Sequence, residues 1–179
     1  MVEILVELCD RNKKFIINNL YPLYLHELSA VRTVYTNKYG VFEDNDDYKT
    51  LEEQIPVFDI WWEKENVLFP FLIIVDNLPA GFALVATPPY IFDGSDFFLH
   101  EFFILGAYRG TGIAEKAAIK LFDKFKGNWV FFTTPNDKNI RALKHWRKTL
   151  AHYTNNQYVE EVKDTIDQGV NAVFNFTNK

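Results

Sequence analysis

The chain has 179 residues, 48% of them hydrophobic, and a formal net charge of −5. That length and apolar content suit one domain, 1–179, with its own core, and they exclude a disordered chain. The acidic balance disfavours nucleic acid as a partner, because phosphate binding needs a basic surface, and no apolar run nears the roughly 18 residues of a membrane span.

Cys9 is the only cysteine. It excludes an intrachain disulfide and a thiolate zinc site, and makes a reducing, cytoplasmic setting the default expectation. Glu3 and Glu7 interrupt the apolar start, which therefore does not read as a signal peptide. The segment Val2–Leu8 alternates Val2, Ile4, Val6 and Leu8 against Glu3, Leu5 and Glu7, the pattern of a strand. Asp10 suits the cap of a following helix that carries Phe15, Ile16 and Leu20. Pro22 is expected to break or restart that helix, with a second short helix from Tyr24 to Val31. Residues 36–50 read as a loop holding an acidic cluster, Glu43, Asp44, Asp46 and Asp47. Residues 51–62 are amphipathic, with the element type open.

Two apolar runs, Phe69–Val75 and Ala80–Ala86, flank Asp76-Asn77-Leu78-Pro79 and predict a hairpin. A strand follows over Phe97–Leu105. The spacing of Ile113, Ala114, Ala117, Ala118, Leu121, Phe122 and Phe125 predicts a helix over Gly112–Lys126, stopped by Gly127. Trp129–Thr133 reads as a strand. A helix from Pro135 or Asn136 to Leu150 has a core stripe of Ile140, Leu143, Trp146 and Leu150. A last hairpin, Tyr158–Val162 and Val170–Phe176, turns across Asp167-Gln168-Gly169. The order of elements is that of a mixed α/β layer.

The chemistry concentrates in Glu101-Phe-Phe-Ile-Leu-Gly-Ala-Tyr-Arg109-Gly-Thr-Gly112-Ile-Ala114. A buried strand runs into a glycine-containing turn where a helix begins. Glycines let backbone approach a ligand closely, and the helix start offers unpaired N–H groups with partial positive charge. Together they form an anion cradle suited to phosphates. Glu115 stands where a Rossmann fingerprint needs its third glycine, and the P-loop pattern is absent.

Arg109, Gly112 and Ala114 fit the Gln/Arg-x-x-Gly-x-Gly/Ala signature of GCN5-related N-acetyltransferases (GNAT), and Asn139-Ile-Arg-Ala142-Leu-Lys-His-Trp146 resembles a later stretch of the same family. The resemblance covers Leu68 to about Leu150, and the rest by element order alone. The chain is also similar to a bacterial group of predicted acetyltransferases. The resemblance implies a mixed, mostly antiparallel central sheet with helices on both faces, and acetyl-CoA as acyl donor. Backbone groups of Phe102, Phe103 and Ile104 would pair with the pantetheine arm. Arg109 and the N–H groups of Gly110, Thr111, Gly112, Ile113 and Ala114 would hold the pyrophosphate, and Asn139 would touch coenzyme A further along. The implied activity is acetyl transfer to an amine, with a small molecule as the favoured acceptor. Protein or peptide acetylation and a non-catalytic coenzyme A-binding module are the competing readings. A homodimer is compatible with the sequence, which does not set the oligomeric state.

Acetyl transfer needs a base for the amine and donors for the charge that develops on the thioester oxygen. His100 and Glu101 are the candidate bases. Strand alternation predicts that they face opposite ways, His100 with Phe98, Phe102 and Ile104, and Glu101 with Leu99 and Phe103. Many relatives carry a tyrosine, thought to protonate the leaving thiolate, where this chain has Trp146, whose indole N–H is a poor acid. Tyr24 and Glu27 are the candidate acceptor contacts, with His26, Tyr35 and Trp62 as further ones. No metal is expected. Lys49 and Ile55 occupy the sixth and twelfth positions of an EF-hand counted from Asp44, and no His-Glu-x-x-His pair occurs.

Overall fold

The computed structural model describes residues 2–43, 45–91, 94–165 and 169–179. A seven-stranded sheet is built from β1 (Ile4–Leu8), β2 (Leu68–Val75), β3 (Leu78–Ala86), β4 (Phe97–Ile104), β5 (Asn128–Thr133), β6 (Tyr158–Thr165) and β7 (Gly169–Thr177). Their order across the sheet is β1-β2-β3-β4-β5-β7-β6. Among these strands only β4 and β5 run parallel, and the other neighbours are antiparallel. The helices are α1 (Lys14–Arg32), α2 (Leu51–Gln54), α3 (Ile60–Glu63), α4 (Ile113–Phe122) and α5 (Ile140–Tyr153). Residues of α1 and α3 pack on one face of the sheet and those of α4 and α5 on the other. The central strand β3 is buried from Ala80 to Ala86, because both its faces are covered. This is the mixed, mostly antiparallel sheet that the resemblance implies. Among the described residues no helix is long and apolar enough to cross a membrane.

Local chemistry explains most element ends. The Asp10 carboxylate accepts from the N–H groups of Asn12 and Lys13, capping a 3-10 turn that leads into α1. Asp76 and Asn77 both take positive φ, 48° and 66°, so the β2–β3 hairpin closes directly between Val75 and Leu78. Left-handed pairs of this kind match the twist of the flanking strands, which is why the turn is tighter than the sequence suggests. The turn of the β6–β7 hairpin, at 166–168, lies outside the described residues, as does Asp44 of the acidic cluster.

Three expectations are corrected. Helix α1 runs unbroken through Pro22. One backbone donor is lost there, but Ile17 and Leu20 before it and Tyr24 after it pack on the same apolar cluster, and that burial holds the helix together. Helix α4 ends at Phe122 rather than Lys126. Phe125 leaves the helical path to pack on Phe69 and Phe97, with ring centroids at 5.0 and 4.9 Å. Gly127 serves close packing, since a Cβ there would lie 2.7 Å from Asp96 and Phe97 side-chain atoms. In α5, Ile140 is exposed, and Thr149 joins Leu143, Trp146 and Leu150 in the buried stripe.

Candidate active site

The sheet splits in its middle. β4 pairs with β5 only where Phe97, Phe98 and Leu99 meet Trp129, Val130 and Phe131. Beyond Leu99, β4 stays paired with β3 up to Ile104, while β5 follows β7 to Thr133. The two parallel strands therefore diverge and leave a wedge across which β4 and β5 are not paired with each other. The Leu105 N–H donates to the Ala80 carbonyl at 2.8 Å. Alternation of backbone groups then directs those of Phe103 toward β3 and those of Phe102 and Ile104 into the wedge. Of the three residues expected to offer backbone to a pantetheine arm, Phe103 is thus turned away.

A β-bulge sets the side-chain chemistry. Leu84 opposes Glu101 and Val85 opposes Leu99, so His100 is the extra residue in β4. The bulge overturns the expected alternation. His100 packs edge-on to Trp61 and Phe98, both at 5.4 Å, on the α1/α3 side. Glu101 faces the same side, where it accepts a hydrogen bond from the Tyr24 hydroxyl of α1. Phe102 points the other way, onto Trp146 at 5.2 Å, and Ile104 also belongs to the α4/α5 side. Both candidate bases consequently lie on one face of the sheet, with His100 Nδ1 3.6 Å from a Glu101 carboxylate oxygen.

Burial pushes the Glu101 carboxyl up to about 7, against the lowering effects of the Tyr24 hydroxyl and the Arg32 cation. Burial and the neighbouring Glu101 charge raise Tyr24 well above the usual phenol value, so it stays a proton donor to the carboxylate. Partial desolvation by its neighbours, then the Arg32 charge, lowers His100 below its ordinary value although the side chain keeps 42% of its exposure. A carboxyl poised near neutrality and a neutral imidazole can each accept a proton from a bound amine.

The turn after β4 has the expected shape. Gly110 and Gly112 adopt φ of 77° and 80°, and a Cβ at either would meet nothing within 4 Å, so both face open space. Gly112 stands at the N-cap of α4 without a capping side chain, and the Lys116 N–H makes the first helical bond, to Gly112 O at 3.2 Å. The preceding amides of Ile113 and Ala114 lie in the region of partial positive charge. Thr111 turns its hydroxyl onto the Tyr108 carbonyl at 2.8 Å, which leaves its main chain as its contribution. Arg109 does not point along this cradle. Its Nε donates to the Ile104 carbonyl at 2.7 Å, its guanidinium lies 5.7 Å over the Phe103 ring, and it pairs with Glu27 of α1.

Glu27 is therefore engaged as the counter-ion of Arg109, while Tyr24 reaches Glu101. The two α1 residues do share the cleft face. The Asn139 amide donates to Thr133 Oγ1 at 2.8 Å and to the Thr134 carbonyl at 2.9 Å, tying the end of β5 to the start of α5. Trp62 is core, its indole N–H donating to the Cys9 carbonyl at 2.8 Å. Tyr35 is exposed, and His26 lies against Phe42. Trp146 is 7% exposed and packs 4.5 Å from Phe131. The sequence reading missed Trp61 and Arg32, whose closeness to His100 and Glu101 comes from tertiary packing, and Tyr21, which lies one helical turn from Tyr24 on α1. It also missed His145, whose Nε2 is buried with no hydrogen-bond partner among the described residues, its ring stacked on Phe102. Its place beside Trp146 in the quoted stretch was the available signal.

A cavity of about 400 Å³ opens beside His100, walled by Trp61, Phe98, Pro89, Tyr90 and Ile91 among others. A second, of about 600 Å³, lies between Thr33 and Asp46 and is lined by loop residues. Among the described residues no group of three or more His, Cys, Asp or Glu is placed to hold a metal ion.

A diverging parallel strand pair, a bulge beside it and a glycine turn opening a helix are the frame of a GNAT-like fold. The sequence profile of the Acetyltransferase (GNAT) family matches residues 29–150, and the chain belongs to that family. Solved structures agree on the fold. AAC(6')-Ib in complex with ribostamycin and coenzyme A superposes with a TM-score of 0.63 at 13% identity, covering 98% of this chain and 93% of that one. An acetyltransferase from Thermus thermophilus gives 0.60 at 11% identity, covering 98% and 97%. A spermidine N-acetyltransferase SpeG chimera from Vibrio cholerae and hSSAT gives 0.59 at 13% identity, covering 97% and 95%. No curated protein matches the sequence.

Proposed function

We propose that this protein is an acetyl-CoA-dependent N-acetyltransferase acting on the amine of a small molecule. The observation that supports the reading most is the bulge at His100, which turns His100 and Glu101 to the same side of the sheet, next to the wedge. The wedge and the glycine turn fit a long donor that ends in a pyrophosphate. Backbone groups of Phe102 and Ile104 would hold the pantetheine arm. Main-chain groups from Gly110 through Ala114 would hold the pyrophosphate, with open space at both glycines to admit it. When bound, acetyl-CoA supplies the acetyl group as a thioester, whose C–S bond breaks as the new C–N bond forms.

The acceptor nitrogen must be neutral to attack. Glu101 takes its proton, directly or through a water, and the Tyr24 hydroxyl orients that carboxylate. His100, neutral and alongside, is the second proton acceptor. A wedge-facing N–H from Phe102 or Ile104 stabilises the developing oxyanion. Trp146 cannot supply the proton for the leaving sulfur, but a thiol with an ordinary pKa of about 8–9 leaves as thiolate without a side-chain acid. A cytoplasmic, reducing setting belongs to the same reading.

The test is isothermal titration with acetyl-CoA, with NADH as control, followed by thiol-release assays over a panel of amines. Micromolar binding together with amine-dependent thiol release is expected. Absence of acetyl-CoA binding would overturn the reading.

A further inference from the structure

The cavity beside His100 has walls of a distinct character. Trp61 and Phe98 form its buried floor, while Pro89, Tyr90 and Ile91 form its outer side, and none of its described lining residues carries a carboxylate. Its volume of about 400 Å³ suits one small organic molecule. His100 belongs to this cavity and to the proton-accepting pair at once, through its 3.6 Å approach to Glu101.

We propose that this cavity is the acceptor's apolar subsite, and that the acceptor is a primary amine joined by a short alkyl spacer to a ring or other compact apolar body. The inference deepens the acetyltransferase reading and rests on it. The apolar body lies against Trp61, Phe98 and Ile91 and gains by leaving water. The amine reaches past His100 to Glu101, the carboxylate that matches its charge. A polyamine or an aminoglycoside would bring further ammonium groups against a wall whose described residues offer no counter-charge, and burying an unpaired charge is costly. The larger loop cavity is the weaker candidate. It contains neither His100 nor Glu101, and its Asp46 carboxylate is held by Lys38 at 2.8 Å.

The test separates binding from turnover. Saturation-transfer NMR on the full chain without acetyl-CoA uses phenethylamine, tryptamine and spermidine as probes. Thiol release with acetyl-CoA uses the same three. Ring protons of the two aromatic amines should receive saturation, and their kcat/KM should exceed that of spermidine at least about tenfold, the ratio worth about 1.4 kcal/mol. Ile91→Asp should raise their KM by a similar factor and leave acetyl-CoA affinity unchanged. Tyr90→Ala, at a position 39% exposed, is the gentler variant and should weaken them in the same direction. A preference for spermidine, or ring amines that bind both variants as they bind the parent, would overturn the subsite while leaving the acetyltransferase reading in place. Failure of acetyl-CoA to bind would overturn that reading instead, and the NMR result would still decide the cavity.

Discussion

Replacing Glu101 by Gln should make the protein more stable and less active. The folded carboxyl titrates at about 7 against an ordinary value of 4.5. Between these values the unfolded chain has released a proton that the folded chain still holds. Stability therefore falls as pH rises through this window, and the loss is complete above about 7. A gap of that size is worth roughly 3 kcal/mol, at about 1.4 kcal/mol per unit. Gln keeps the shape and offers the Tyr24 hydroxyl a neutral oxygen, as the protonated acid does; the loss of the charged acceptor is already contained in the shifted value. The variant should match the parent near pH 4 and exceed it by roughly 3 kcal/mol at pH 8. For a chain of this size that is a rise in Tm of about 6–12 °C. Differential scanning calorimetry from pH 4 to 8.5 reads the stability. The matching kcat/KM profile should lose its ascending limb near pH 7 and fall by about 10²–10⁴-fold. A Tm at pH 8 equal to or below the parent's, or a difference that ignores pH, would refute the assignment of Glu101 as a desolvated base.

Gly112→Val places a branched side chain at φ 80° in open space. It should cost about 1–2 kcal/mol of stability yet fold, and it should weaken acetyl-CoA at least about tenfold by titration calorimetry, because the Cβ fills the cradle. Gly81→Ala puts a Cβ 1.9 Å from the Phe103 carbonyl oxygen, where backbone cannot give. Urea denaturation should show a loss of about 3 kcal/mol or more, with weakened β3–β4 pairing. Pro22→Ala restores a helical donor inside α1 and should raise the urea midpoint by an amount worth roughly 1–2 kcal/mol. An unchanged midpoint would mean that the helix bends to make the proline harmless.

The legible parts of the chain were those whose physics is local. Alternation located β1, the apolar runs located β2 and β3, and three-and-four spacing located α4 and α5. The Arg109–Ala114 turn was readable because glycines at positive φ and an uncapped helix start are both properties of a few adjacent residues. Asp10 and Asn136 act as caps for the same reason. Where tertiary packing outweighs a local preference, the reading failed. Pro22 breaks helices in isolation, but α1 has Ile17, Leu20 and Tyr24 packed along the sheet on either side of it. Phe125 fits the periodicity of α4, yet the rings of Phe69 and Phe97 hold it outside the helix.

The bulge at His100 is the case with most consequence for chemistry. A strand of regular pleat would have set His100 and Glu101 on opposite faces, and one of them would have been committed to the α4/α5 core. Nothing in Phe97-Phe-Leu-His-Glu-Phe-Phe-Ile104 announces the extra residue, because an insertion in pairing is a property of two strands and not of one. It shows only in the pairing with β3. β3 approaches β4 closely at Gly81, which fixes the register at the Ile104 end, while Val85 and Ala86 pair with Leu99 and Phe98 at the other. The mismatch between the two ends is absorbed at His100. The same bulge marks where β4 leaves β5, so the device that brings the two bases together also opens the wedge beside them. One irregularity thereby couples the proposed donor channel to the proposed acceptor cleft, and a change that straightened β4 would remove both at once.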